Sequence, residues 1–538
     1  MSKLKSIAKD TAIYGLSSIV GRFLNYLLMP LYTAQLSAAS GGYGIITNMY
    51  AYVALILVLL TFGMETTYFR FTNKTHEDSQ TVYSTTLVSV GAVSFVFVTL
   101  VILLLRPISE VMGYGDHPDW VGVMAVTVAI DAFLCIPFAY LRQQKKAIKF
   151  AALKLLNIVA SILLNVIYFA WMDGKDVGYA FYINFVCTAM LAVCLVKELT
   201  GFRYTFDKAL MRRMLNYSWP ILVLGIAGIL NQTADKMLFP YLYEGSDGLE
   251  QLGIYGACSK IAMIMAMITQ AFRFAYEPIV FAGVKDKGQH EMYAQAMKYF
   301  IIFTLLAFLM VVGYLDILKY ILRRPEYWVG LKVVPIVMAA EIMMGVYFNL
   351  SFWYKLIDRT IWGAWFSGLG CAVLLAVNII FVPKYGYMAC AWGGFAGYGV
   401  AMVASYVVGQ RHYPINYPLK DIGLYLLLAV WAYITMRYVR SWGLWPSLAV
   451  NTLLILLFLA VIIRRDLPLS QLPVVGRYFR ARKPGQPGNP GQSRKSGKSG
   501  KSGKSGNSGQ SGKSGKTGNP GQPGQSEISG SPSKNNPC

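Results

Sequence analysis

Apolar runs of about 20 residues alternate with short polar connections from Thr11 to Arg465, and this alternation is the main signal in the chain. A helix rises about 1.5 Å per residue, so a run of that length crosses a hydrocarbon core of about 30 Å. Fourteen runs qualify. Six lie at 11–32, 44–69, 84–105, 119–140, 150–171 and 177–197. Six more lie at 214–238, 250–275, 296–314, 329–351, 360–382 and 386–409, followed by two at 419–439 and 446–463. The expected fold class is therefore an all-α polytopic membrane protein with about 14 transmembrane helices: two six-helix lobes plus two peripheral helices. The expected divisions are residues 1–210 for the N-terminal lobe and 211–415 for the C-terminal lobe. Residues 416–480 carry the last two spans and a juxtamembrane segment, and 481–538 form a tail.

Each six-span group begins on the same side, so a duplication predicts parallel repeats about an axis along the membrane normal. Matching punctuation supports this. Pro30 closes one span before Tyr43-Gly44-Ile45 opens the next, and Pro240 closes another before Gly253-Ile254-Tyr255-Gly256. The spacing from Tyr43 to Glu65 equals that from Tyr255 to Glu277, at 22 residues.

The composition agrees with this class. Of 538 residues, 55% are hydrophobic and 14% charged, against about 25% charged in soluble domains. The formal charge of +23 does not indicate a nucleic-acid partner, because Lys and Arg are scattered over short loops and the tail. Their excess on one set of loops (Arg142, Lys145, Lys146 and Lys149; Arg203, Arg212 and Arg213; Arg464 and Arg465) predicts that both termini are cytoplasmic. Arg323–Arg324 and Arg437/Arg440 break the rule on the outer side. Lys3, Lys5 and Lys9 could serve a signal peptide, but the following run lacks a cleavage site and reads as a retained first span. Six of the seven Cys fall within apolar runs without paired ligand spacing, so neither a zinc site nor a disulfide framework is indicated.

From about Ala481 the composition shifts to Gly, Ser, Lys, Pro, Asn and Gln, with glycine at every third position from Gly485 to Gly524 except at Arg494. The triplets suggest collagen. Sparse proline and the short array favour a flexible, cationic cytoplasmic tail that touches anionic lipid.

No Walker loop, GxSxG or HExxH is present, and the four His fall in connections, so no catalytic residues, metal site or cofactor are indicated. The informative residues are polar ones within spans, which are costly in lipid and therefore face protein or a wet cavity. Arg22 and Asn25 lie on the first span, Glu65 on the second and Asp131 on the fourth. Asn231, Gln232, Asp235 and Lys236 lie on the seventh, Lys260 and Arg273 on the eighth, and Glu341 on the tenth. One reading gathers them around a cavity of net positive potential able to hold a pyrophosphate, with acidic neighbours tuning it or binding a coupling proton or sodium ion. The other pairs Arg22 with Asp131 and Lys260 with Glu341, leaves Arg70, Arg273 and Glu277 at the cytoplasmic interface, and puts Lys236 at the outer one with Asp235 as its local partner.

Two stretches carry a resemblance. They are Leu27 to Phe71, LLMPLYTAQLSAASGGYGIITNMYAYVALILVLLTFGMETTYFRF, and Asn231 to Ala262, NQTADKMLFPYLYEGSDGLEQLGIYGACSKIA. Over residues 5–465 the chain resembles the polysaccharide-transport and O-antigen flippase branch of the MOP exporter superfamily. The resemblance implies a bacterial inner-membrane protein that translocates undecaprenyl-diphosphate-linked oligosaccharide by alternating access for surface polysaccharide biosynthesis. Its implied partners are that lipid-linked substrate, membrane lipids, a polysaccharide polymerase and glycosyltransferases, and the chain would act as a monomer. It places Arg22, Lys260 and Arg273 at the headgroup and Asp235 and Lys236 at an outer gate. A cation-coupled drug or metabolite antiporter, like the MATE branch, is the alternative, with Asp131, Glu65 or Glu341 binding the ion. A membrane-embedded polymerase or ligase is a third reading, which the short loops disfavour.

Overall fold

The computed structural model describes residues 26–74, 77–282, 289–357 and 359–466. It is all-helical over those residues. The principal helices are α1 (Leu28–Gln35), α2 (Gly42–Thr61), α3 (Met64–Lys74), α4 (Ser79–Leu103) and α5 (Pro118–Gln143). They continue as α6 (Ala147–Asn165), α7 (Gly178–Cys194), α8 (Lys208–Leu242), α9 (Gly248–Ala282) and α10 (Gln289–Gly313). The last five are α11 (Val334–Leu350), α12 (Ile361–Tyr385), α13 (Tyr387–His412), α14 (Leu419–Val439) and α15 (Leu444–Arg465).

Among the described residues, 12 helices are long and apolar enough to cross a membrane, against the fourteen expected. The difference has two sources. The first expected span, 11–32, lies mostly outside the described residues, and only its end appears, in α1. The sixth, α7, is a 17-residue helix, about 26 Å long, just under a hydrocarbon thickness. The second span is one run in sequence but two helices in space. Phe62 and Gly63 adopt left-handed backbone angles (φ 49° and 66°) between α2 and α3. A side chain at Gly63 would also meet Ile221 at 2.8 Å.

Helix starts follow ordinary capping chemistry. The Asp207 carboxylate accepts from the backbone N–H groups of Ala209 and Leu210 at the start of α8, and Asp78 accepts from Thr81 at the start of α4. Large apolar side chains face outward, among them Phe95, Leu103, Ile148 and Trp445, as a lipid solvent requires. Where helices touch, small residues let backbones approach. A Cβ on Gly370 of α12 would lie 2.9 Å from the Gly397 carbonyl of α13, and the reverse contact would be 2.7 Å.

The terminal pair α14–α15 packs on α10 through a cluster containing Leu305, Leu309, Tyr425, Ala432, Leu454 and Phe458. Polar ties close both ends of this seam. Lys298 Nζ lies 2.7 Å from Asp421 and 2.5 Å from Asp466. At the other end, Asn451 donates to the Gly313 carbonyl at 2.8 Å.

One end of the bundle, carrying the connections at 36–41, 243–247 and 322–324, is closed by contacts between the first and second halves of the chain. A Cβ on Gly44 would sit 1.8 Å from the Leu249 carbonyl oxygen, so α2 and α9 cross backbone to backbone there. Arg324 donates to the carbonyls of Ala34 and Gln35 at the end of α1, and Glu326 accepts from Ala38 N–H at 2.8 Å and the Ser37 hydroxyl at 3.0 Å. Arg324, which violates the charge rule in sequence, thus satisfies helix-end carbonyls.

Candidate functional site

Beneath that closed end lies a cavity of about 550 Å³, within the range of small-molecule sites. Helices from both halves of the chain line it. α8 supplies Asn231, Gln232, Asp235 and Lys236, α9 supplies Tyr255, Ser259 and Lys260, α11 supplies Glu341, and α13 supplies Tyr398. The opposite wall is made by α1, α2, α6 and α7.

Asp235 is buried, with two partners that hold its charge. Tyr255 donates its hydroxyl to Asp235 Oδ2 at 2.7 Å, and Lys236 Nζ contacts both carboxylate oxygens at 3.0 and 3.1 Å. Lys236 Nζ also donates to the Gln232 carbonyl at 2.9 Å and lies 5.5 Å from the Tyr255 ring centre. Its backbone carbonyl accepts from Asn48 of α2 at 2.8 Å, and Asn48 accepts in turn from Tyr114 at 2.9 Å. The charged wall is thereby fastened to the first half of the chain at the closed end. Asn231 donates to the Ala227 and Ser367 carbonyls, and Tyr398 donates to the Asn231 carbonyl at 3.1 Å.

Lys260 is the exception. Among the described residues no carboxylate forms an ion pair with it, so the alternative pairing with Glu341 is not formed, and Lys260 is part of the cavity lining. A cation left without a local carboxylate in a half-enclosed site is suited to an anionic ligand.

Six of the residues singled out in the sequence therefore come together: Asn231, Gln232, Asp235, Lys236, Lys260 and Glu341. Three do not line the cavity. Arg273 lies with its guanidinium 4.3 Å from the Phe348 ring centre. Glu65 pairs with Arg142 at 2.5 Å, half-exposed beyond the α2–α3 break. Asp131 accepts from Thr188 at 3.2 Å, between α5 and α7. An aromatic ring holds the first and a local ion pair the second. Arg22 and Asn25, and hence the Arg22–Asp131 pairing, lie outside the described residues. The described lining does not supply the net positive potential of the first sequence reading. It carries two cations, Lys236 and Lys260, against two carboxylates, Asp235 and Glu341.

The sequence reading passed over the fifth and sixth spans. Asn157, Ser161 and Asn165 on α6 and Asn184 on α7 line the cavity. The signal was available, since residues 157, 161 and 165 repeat at the four-residue spacing of one helix face.

With this geometry established, comparison with known proteins assigns the family. Residues 7–278, just over half of the chain, match the family model described as polysaccharide biosynthesis protein. The chain belongs to that family. No curated protein matches it in sequence. Among solved structures, its fold is similar to that of the lipid II flippase MurJ in an inward closed conformation. The TM-score is 0.67 at 14% identity, over 84% of this chain and 98% of that one. It is also similar to an inward-facing MATE multidrug resistance transporter of the MOP superfamily, with a TM-score of 0.58 at 13% identity, over 74% and 94% of the two chains. For the MATE multidrug transporter DinF-BH the TM-score is 0.57 at 16% identity, over 75% and 95%. At these identities the likeness establishes the fold. The chain is a multi-pass membrane protein with the fold of MurJ and the MATE transporters.

Proposed function

We propose that this protein translocates undecaprenyl-diphosphate-linked oligosaccharide across the bacterial inner membrane by alternating access, for surface polysaccharide biosynthesis. The observation that supports this best is the cavity between the two halves of the chain, polar on both walls, with Lys260 free of a carboxylate partner among the described residues. A sugar diphosphate cannot cross hydrocarbon unaided, and a chamber of this kind shields it while the polyprenyl tail stays in lipid. Lys260 would contact the diphosphate, the Asp235–Lys236–Tyr255 group would act in gating, and the closed end would be the outer face. The two halves, 1–210 and 211–415, would move as lobes. A cation-coupled antiporter of the MATE kind shares the fold and is separated by ion-driven dye efflux.

The test is a leaflet-accessibility assay in proteoliposomes loaded with undecaprenyl-diphosphate-linked oligosaccharide. The wild-type protein should bring the protected pool to the accessible leaflet, and Lys260→Ala should slow this at least about tenfold, consistent with the loss of one charge-assisted contact. Equal rates in the two proteins, or no wild-type activity above protein-free vesicles, would overturn the proposal.

A further inference from the structure

The two walls of the cavity differ in chemistry. All four charged residues of its described lining, Asp235, Lys236, Lys260 and Glu341, come from the second half of the chain. The described lining from the first half carries no charge and is rich in amides, hydroxyls and tyrosines.

That neutral wall is organised. On α6, Asn157, Ser161 and Asn165 form a ladder one turn apart on the cavity side. Leu156, Val159 and Leu163 of the same helix are exposed on the outer, lipid-facing surface. Asn165 is committed to structure: it accepts from the Tyr32 hydroxyl at 2.8 Å and donates to the Ser161 carbonyl at 2.7 Å. Asn157 is not. Its Oδ1 is enclosed and has no hydrogen-bond partner among the described residues, a cost that a native site retains when something else supplies the donor. Asn184 of α7 lies on the same wall, and Tyr50 of α2 adds a partly exposed ring 6.4 Å from Phe181.

Planar amides that both donate and accept, beside an aromatic face, are the means by which proteins recognise uncharged polyhydroxylated rings. A diphosphate would instead favour the ammonium groups opposite. The geometry points to a saccharide subsite formed by Tyr50, Asn157, Ser161 and Asn184, which selects the glycan while the Lys260 wall holds the diphosphate. This rests on the translocation reading above and assigns substrate discrimination to the first-half wall, whose described lining is uncharged. The charged wall contacts what all such lipids share, and the neutral wall contacts what differs among them.

The experiment is equilibrium binding to the full chain in nanodiscs. The probes are undecaprenyl diphosphate and the same lipid carrying one N-acetylglucosamine, N-acetylgalactosamine, glucose or galactose. The wild type should bind at least one glycosylated probe about tenfold more tightly than the bare diphosphate. Asn157→Leu and Asn184→Leu, singly and together, should remove that gain and leave bare-diphosphate affinity within about twofold, which also shows that the variants fold. Lys260→Ala should weaken all probes alike. A wild type that binds the bare lipid and gains nothing from any sugar overturns the subsite and leaves translocation standing. So does a double variant that keeps the full gain. A wild type that binds no probe overturns both.

Discussion

Residue by residue, the cavity is a set of polar groups whose cost is met by specific partners. Asp235 is the clearest case, since its carboxylate is buried and held by Tyr255 and Lys236. Tyr255→Phe removes one donor without changing shape. It should cost about 1–2 kcal/mol of stability, read as a lower unfolding temperature in detergent. An unchanged midpoint would mean that the hydroxyl is replaceable by water. The sequence showed that Asp235, Lys236 and Lys260 were unusual because ions in a span are conspicuous. It did not show that Arg273 and Glu65 leave the cavity, because a neighbour such as Phe348 or Arg142 is brought close only by the fold. Asn157, Ser161 and Asn165 were missed for the opposite reason. An uncharged polar residue in a membrane helix is common enough to pass unless its spacing is read.

Helix identities were legible from apolar run length alone, and helix contacts were not. The break at Phe62–Gly63 and the shortness of α7 left no mark in hydropathy. The matching Gly44 and Gly253-Gly256 motifs hinted at a repeat, but only the structure places Gly44 against Leu249 across the α2–α9 crossing. Gly44→Ala must push those backbones apart and should destabilise the protein by about 1–3 kcal/mol. Gly368→Ala on α12, where a Cβ meets nothing within 4 Å, should be neutral or slightly stabilising. Comparing the two unfolding midpoints checks this, and equal effects would count against a close crossing. The α14–α15 pair makes its own prediction. Lys298→Met removes the cation shared by Asp421 and Asp466, leaving Asp421 only Arg465 and Asp466 only the Tyr425 hydroxyl among the described residues, and should raise amide exchange across Leu444–Arg465 while leaving Gly42–Thr61 unchanged.

For the whole molecule, the account depends on one distinction, between surface exposed to lipid and surface exposed to water inside the bundle. Gln232 and Phe95 are both exposed, yet Gln232 lines the cavity and Phe95 lies on the outer apolar surface. The most direct test places single cysteines at Gln232, Asn184 and Phe95 in a cysteine-free background. A membrane-impermeant maleimide is then applied to intact cells and to inverted membrane vesicles. The account predicts labelling at Gln232→Cys and Asn184→Cys from at least one aqueous face, with none at Phe95→Cys. If neither cavity position is labelled from either face, in protein that is folded and present at normal levels, the interior is sealed and dry and the account is contradicted.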